Sequence, residues 1–60
     1  MQNAEILRQI RAYMAKRDKR QYELAAELGV APPTVNRWLT GKVKVSKAYQ
    51  TILKTKGILS

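Results

Sequence analysis

Asn36 and Arg37 are the two side chains of this sequence best suited to specific recognition of a polar partner. Around them, Val35, Trp38 and Leu39 recur at spacings of three and four residues, which predicts the buried stripe of a short helix. The amide and the guanidinium then fall on other faces of that helix. An exposed amide beside an exposed guanidinium, on a helix whose first turn contains prolines, is a combination suited to reading DNA.

A second short helix is predicted immediately before this one. Leu24, Ala25 and Leu28 recur at helical spacing and provide its apolar face. Gly29 follows at once, where a helix ends and the chain must adopt a positive φ angle. The two prolines that come next suit the start of a new helix, because the first N–H groups of a helix lack partners in any case. Residues 21–41 are therefore predicted to form a tight helix pair.

An amphipathic helix is predicted near the beginning of the sequence, over Ala4–Lys16, with Asn3 as its N-cap. The first two residues are expected to fray. Asp18 is a candidate cap for the next helix, which would then begin near Lys19, or otherwise near Arg20. The predicted inner stripe of the first helix consists of Ile6, Leu7, Ile10, Tyr13 and Met14.

A fourth helix is predicted after the alternating stretch 42–45, which is too short to be a convincing strand and is interpreted as a loop. Ser46 is expected to cap this helix, which runs from Lys47 to Lys54 or Thr55. Ile58–Leu59 is unusually apolar and either folds back onto the helix or meets another copy of the chain. The predicted inner stripe of the helix consists of Ala48, Tyr49, Ile52 and Leu53.

The sequence is strongly basic, with twelve lysines and arginines, four acids and a formal net charge of +8. All the acids precede Gly29 and every charged residue after it is a base, which indicates a polyanionic partner. There is no cysteine and no histidine, so we expect no disulfide, no metal, no other cofactor and no enzymatic activity. No apolar run approaches the ~20 residues of a membrane span and no signal-peptide pattern is present, which favours the cytoplasm. Residues 1–60 are interpreted as a single small domain.

The stretch 21–41 resembles the helix-turn-helix of the Cro and phage-repressor family of DNA-binding proteins. Ala25 is the small residue that lets the two helices approach, and Gly29 lies at the turn four residues later. The chain departs from the family at Ala31, where a capping Ser or Thr is usual, and in lacking the fifth helix that the family often carries. The resemblance implies an all-α, four-helix domain of the lambda-repressor type with a central helix-turn-helix. The family's buried positions are matched by Leu24, Leu28, Val30, Val35 and Trp38.

The resemblance also implies that the helix over residues 32–39 lies in the major groove with its N-terminal residues toward the bases. Arg37 is then the best candidate for paired hydrogen bonds with a guanine, and Asn36 for an adenine. The alternative for Arg37 is a phosphate contact or an ion pair with an acid such as Glu27. The predicted base-reading residues are Pro32, Pro33, Thr34, Asn36 and Arg37. The predicted phosphate contacts are Arg20, Gln21, Thr40, Lys42, Lys44 and Lys47.

The expected partner is a short, palindromic operator in double-stranded DNA. A weak homodimer, formed through the fourth helix and the apolar tail, is expected to assemble on it. The leading hypothesis is a transcriptional regulator of phage or mobile-element type, and the alternative is a DNA-binding module of a recombinase, transposase or plasmid-control system. An RNA-binding or membrane-active basic peptide is a weaker hypothesis, because only Tyr13, Tyr22, Trp38 and Tyr49 could stack on bases and Trp38 at least is predicted to be buried.

Overall fold

The computed structural model describes residues 2–60, and the fraying expected at Met1 lies outside the described residues. This part of the chain forms four α-helices: α1 (Asn3–Lys16), α2 (Gln21–Leu28), α3 (Pro32–Leu39) and α4 (Lys47–Thr55). Residues 2–60 contain no β-strand, so the predicted all-α, four-helix fold is confirmed. Within the same range, no helix has both the length and the apolar composition needed to cross a membrane.

Apolar side chains from all four of these helices meet in a single core. The core also includes one residue of the loop before α4 and two residues after α4, so the segments that follow α3 take part in holding it in place. Because Val35, Trp38 and Leu39 pack into this core, α3 is held in place by its inner face. The buried apolar residues are Ile6, Ile10, Leu24, Ala25, Leu28, Val35, Trp38, Leu39, Val45, Leu53, Ile58 and Leu59.

The tight turn between α2 and α3 is the part of the fold that the sequence predicted best. Gly29 has a φ of +74°, in the left-handed region that a side chain disfavours, and it ends α2 as expected. Val30 is half-buried, and its N–H donates to the carbonyl of Ala25 at 3.0 Å. Ala25 itself is fully buried, so its small side chain lets the two helices pack closely. Ala31 precedes α3 without a side-chain cap, as predicted for an alanine.

The starts of the first two helices differ from the prediction. Asn3 does not cap α1 from outside but is its first residue, and its Oδ1 accepts a hydrogen bond from the N–H of Val45 at 3.2 Å. Asp18 has a φ of +53° in the turn after α1 and does not cap α2, which begins later than predicted. The carboxylate of Glu23 supplies the cap instead, because it reaches back and accepts from the N–H of Arg20 at 2.7 Å.

α4 is capped as predicted, since Ser46 Oγ accepts a hydrogen bond from the N–H of Tyr49 at 3.4 Å. The predicted inner stripe is correct for Leu53, which is buried, and for Tyr49 and Ile52, which are half-buried. Ala48 is exposed, so its assignment to the inner stripe is wrong. The reason is geometric: it lies five residues before Leu53, which places it about 140° away around the helix.

The chain end turns back onto the core. The N–H groups of Ile58 and Leu59 both donate to the carbonyl of Leu53, at 2.9 and 3.3 Å. Their side chains are only 5% and 4% exposed. Ser60 follows, and its N–H donates to Gln9 Oε1 at 3.0 Å. The predicted fold-back is therefore confirmed, and the alternative of an apolar tail that meets another copy is wrong, because the chain itself covers these side chains.

Candidate nucleic-acid interface

α3 has two faces of opposite character. Its inner face is buried: Val35 is fully enclosed, Trp38 is 2% exposed and Leu39 is 9% exposed. The guanidinium of Arg11, from α1, donates to the last carbonyl of this helix, on Leu39, and so helps to satisfy its C-terminal end. The outer face carries all the predicted base-reading residues, with Thr34 half-buried and Pro32, Pro33, Asn36 and Arg37 exposed.

On one side, α3 meets the beginning of α2 in a shallow surface depression, which we call the α2–α3 depression. Within it, Asn36 Nδ2 donates a hydrogen bond to Gln21 Oε1 at 3.2 Å. A predicted base-reading residue and a predicted phosphate contact are therefore joined directly. The depression is lined by Arg20, Gln21, Tyr22, Pro32, Pro33 and Asn36.

On its other side, α3 borders a groove that it forms with the loop after it and with the start of α4, which we call the α3–α4 groove. Trp38 and Tyr49 meet there edge to face, with ring centroids 5.2 Å apart and an interplanar angle of 63°. Arg37 and Lys44 both line the groove, and no acidic side chain of residues 2–60 does. The lining residues are Thr34, Arg37, Trp38, Val43, Lys44, Ser46 and Tyr49.

The ion pairs of the described chain lie away from α3. Glu5 pairs with Arg8, and Glu27 Oε1 accepts from Lys19 Nζ at 2.8 Å. Arg37 forms no ion pair within residues 2–60, so the alternative of a pair with Glu27 is wrong. In the same range, the predicted phosphate contacts Arg20, Lys42, Lys44 and Lys47 also have no ion-pair partner. Their positive charges remain available to a polyanion.

The Lys19 ammonium also changes the protonation of its partner. Its hydrogen bond, reinforced by one from the Tyr13 hydroxyl at 2.9 Å, holds the pKa of Glu27 below the usual range of a glutamate. In turn, the hydrogen bond that Lys19 donates to Glu27 raises the pKa of Lys19. Because both side chains keep their charges over a wider pH range, this pair neutralises part of the positive charge at the join of α1 and α2.

Not every predicted contact is brought to the same surface. Thr40, Lys42 and Lys47 are exposed but line neither the α2–α3 depression nor the α3–α4 groove. The Thr40 hydroxyl is turned inward, since its Oγ1 donates to the carbonyl of Asn36 at 2.9 Å and caps the end of α3. Its hydrogen is therefore already used within the chain, which leaves the oxygen only as an acceptor.

Two tyrosines at these surfaces were not among the predicted DNA contacts, and Tyr49 was assigned only to the inner stripe of α4. Tyr22 lies in the α2–α3 depression and is 61% exposed, whereas Tyr49 lines the α3–α4 groove. Tyr22 falls outside the apolar stripe of α2, which is a signal of exposure. Its position beside the start of α3 depends on how the two helices cross, and the spacing of residues in one helix does not contain that information.

The comparison with family models agrees with this geometry. A helix-turn-helix family model matches residues 10–49, which is two thirds of the chain and includes the whole of α2 and α3. No curated protein and no solved structure was found to match the chain significantly. The chain therefore belongs to the helix-turn-helix family of Cro/repressor-like, DNA-binding transcription regulators.

Proposed function

We propose that this chain is a small transcriptional regulator of phage or mobile-element type that binds a short DNA operator in a sequence-specific way. The observation that carries the proposal is the two-sided character of α3. Its inner face is held in the core by Val35 and Trp38, while Asn36 and Arg37 are exposed on its outer face. A rigid helix with exposed hydrogen-bond donors can enter the major groove without a large rearrangement of the fold.

The length of α3 suits this role. It contains eight residues and is therefore roughly 12 Å long, which spans a few base pairs along the major groove, and its diameter of about 10–12 Å with side chains fits the groove width of about 12 Å. Arg37 reads a guanine through two hydrogen bonds, and Asn36, placed one residue before it, reads an adenine. A helix of this length reaches only a few base pairs, so one copy of the chain reads one short half-site.

Positive charges flank α3 on both sides. Arg20 lies in the α2–α3 depression and Lys44 in the α3–α4 groove. The two strands of the duplex border the major groove in the same way, so each side of α3 can contact one phosphate backbone. Gln21 is the first residue of α2, and its side chain together with the N–H groups at the helix N-terminus is suited to binding a phosphate. Lys42 and Lys47 are proposed as further phosphate contacts nearer to the edge of the interface. Thr40 can join them only if its hydroxyl leaves the carbonyl of Asn36, because a phosphate offers no hydrogen to the Thr40 oxygen.

We also propose that two copies bind a palindromic operator as a weak dimer formed on DNA. Half-sites one helical turn apart have centres about 34 Å apart. The described chain has principal dimensions of 24 × 22 × 17 Å, so even its longest dimension is about 10 Å shorter than this spacing, and two copies can meet only through side chains that extend from their margins. A small contact of this kind is consistent with weak association, and the buried Ile58–Leu59 tail takes no part in it.

Selection of bound sequences from random DNA with the purified chain tests the proposal. A palindromic consensus with a conserved guanine and adenine is expected, and a single unpaired half-site would favour the DNA-binding module of a recombinase, transposase or plasmid-control system. A matched control is the variant with both Asn36→Ala and Arg37→Ala. Both positions are exposed, so it should stay folded but enrich no consensus. If the unaltered chain also enriches none, the proposed function is wrong.

A further inference from the structure

Tyr22 is an aromatic side chain whose position is not explained by contacts within the chain. It is 61% exposed, and its hydroxyl has no hydrogen-bond partner in residues 2–60. The other tyrosines differ, because the Tyr13 hydroxyl bonds to Glu27 and the Tyr49 ring packs against Trp38. An exposed tyrosine ring is a large apolar surface of the kind that interfaces bury.

The start of α3, which lies beside Tyr22, offers no free backbone donor. Helix N-termini usually present unpaired N–H groups, but Pro32 and Pro33 have none. The next N–H, on Thr34, donates to the carbonyl of Ala31 at 2.9 Å. A hydrogen-bond acceptor of a base or phosphate pressed against the two proline rings would lose water without gaining a backbone N–H partner, and the polar groups of the depression lie around these rings. The proline rings and the face of the Tyr22 ring therefore favour an apolar group.

In the major groove, the 5-methyl group of thymine is the apolar group that a base pair presents. We propose that the patch formed by Tyr22, Pro32 and Pro33 packs against this methyl group and selects a T·A pair next to the one read by Asn36. The patch and Asn36 line the same α2–α3 depression, so the patch continues the proposed reading surface. This inference rests on the proposed function, because it requires α3 to enter the major groove.

Deoxyuridine substitution tests the inference, because deoxyuridine differs from thymidine only by the missing 5-methyl group. The probe is the duplex obtained by selection, with each thymine replaced in turn. For the unaltered chain we expect affinity to fall by about fourfold at one position per half-site, the effect of exposing one buried methyl-sized group. Tyr22→Ala should weaken binding to the thymine duplex and remove this difference. Tyr22→Phe, which keeps the ring, should retain it.

Each contrary outcome has a definite meaning. If a consensus is found but no thymine position is sensitive to deoxyuridine, or if Tyr22→Ala keeps the full difference, the inference is wrong and the proposed function stands. If Tyr22→Phe behaves like Tyr22→Ala, the hydroxyl and not the ring contacts DNA, and the assignment to a methyl group is wrong. If selection yields no consensus at all, the proposed function itself fails. Circular dichroism of the variants verifies that this exposed position leaves the fold intact.

Discussion

Asn36 and Gln21 are joined across the helix-turn-helix by a hydrogen bond of 3.2 Å, from the Asn36 Nδ2 group to Gln21 Oε1. The bond connects the residue proposed to read adenine in α3 with the residue proposed to contact phosphate at the first position of α2. It orients the Asn36 amide before any DNA arrives, since an unrestrained exposed amide would rotate freely. Recognition of the base by Asn36 and contact of Gln21 with the DNA phosphate backbone are therefore expected to depend on each other.

Replacement of Gln21 should change sequence preference as well as overall affinity. Gln21→Ala releases the Asn36 amide, so discrimination at the adenine should fall together with binding to all sequences. In a double-mutant cycle with Asn36→Ala, we expect a coupling of about 0.5–3 kcal/mol, measured by titration of operator DNA. Arg20→Ala is the matched control, since Arg20 lines the same depression without bonding to Asn36. Additive effects of the Gln21 and Asn36 substitutions would contradict the coupling.

Arg37 and Lys44 line the same groove but should behave differently. Arg37→Ala should cost about 1–3 kcal/mol on the operator and much less on an operator whose guanine is replaced, because a bidentate contact to a base is lost. Lys44→Ala should weaken all sequences alike. It should also reduce the slope of log affinity against log salt, expected near −5 for about six phosphates, by about 1. Equal losses on all sequences for Arg37→Ala would remove its base-reading role.

Trp38 should matter for stability and not for specificity. It is 2% exposed and packs edge-on against Tyr49, so Trp38→Ala removes the largest side chain of the core. We expect a loss of about 3–5 kcal/mol, enough to unfold most of a domain of this size, as followed by circular dichroism during urea denaturation. Tyr22→Ala, at an exposed position, should change the free energy of unfolding by less than about 0.5 kcal/mol.

Stability should decrease in acid because of Glu27. The hydrogen bond from Lys19 lowers the pKa of this carboxyl in the folded chain. Its stabilising effect is therefore complete above the pKa of the unfolded carboxyl and is lost as the pH falls through the lower, folded pKa. We expect the free energy of unfolding to decline between about pH 5 and pH 2, measured by urea denaturation with Trp38 fluorescence. Glu27→Gln should make this decline shallower.

A second carboxyl should contribute to the same pH dependence. The hydrogen bond from Arg8 lowers the pKa of Glu5, which lies in the first turn of α1. Glu5→Gln should therefore also reduce the acid dependence, and the variant with both substitutions should reduce it further. An unchanged pH profile for Glu27→Gln would show that the Lys19 contact contributes nothing to stability.

Ile58 should stabilise the core of its own chain and take no part in a contact between two chains. Its side chain is 5% exposed, so Ile58→Ala should cost about 2–5 kcal/mol of stability. Sedimentation of the unaltered chain without DNA should give a monomer, and the variant should sediment in the same way once folded. Lys54→Ala, at an exposed position of α4, is the control and should leave stability nearly unchanged. If the unaltered chain sedimented as a dimer and the folded, stable Ile58→Ala variant as a monomer, this assignment would be wrong.

Local sequence patterns were sufficient to predict much of the fold. Gly29 and the following prolines marked the turn between α2 and α3, because a positive φ angle and a missing N–H are properties of single residues. Helical spacing likewise identified Val35 and Trp38 as buried, since one period describes one face of a helix. The exposure of Asn36 follows from the same period.

Helix starts and individual surface positions were less predictable. Asn3 looked like a cap, but its side chain bonds to Val45, 42 residues later, and no local pattern contains that contact. Asp18 looked like a cap for α2, but it lies in the turn after α1, two residues before the N-cap Arg20, whose N–H bonds to the carboxylate of Glu23. In both cases several local arrangements are compatible with the same residues, and packing selects one.

The sequence by itself determined the helix pair, its turn, the strong positive charge and the pair of side chains, Asn36 and Arg37, on which recognition is proposed to depend. These properties depend on residue type and short-range spacing. Only the tertiary structure decided that Gln21 orients Asn36, that Tyr22 lies beside the prolines of α3, and that Ile58 closes the core of its own chain. The physical reason is that these contacts join residues far apart in sequence, and their geometry follows from how whole helices pack.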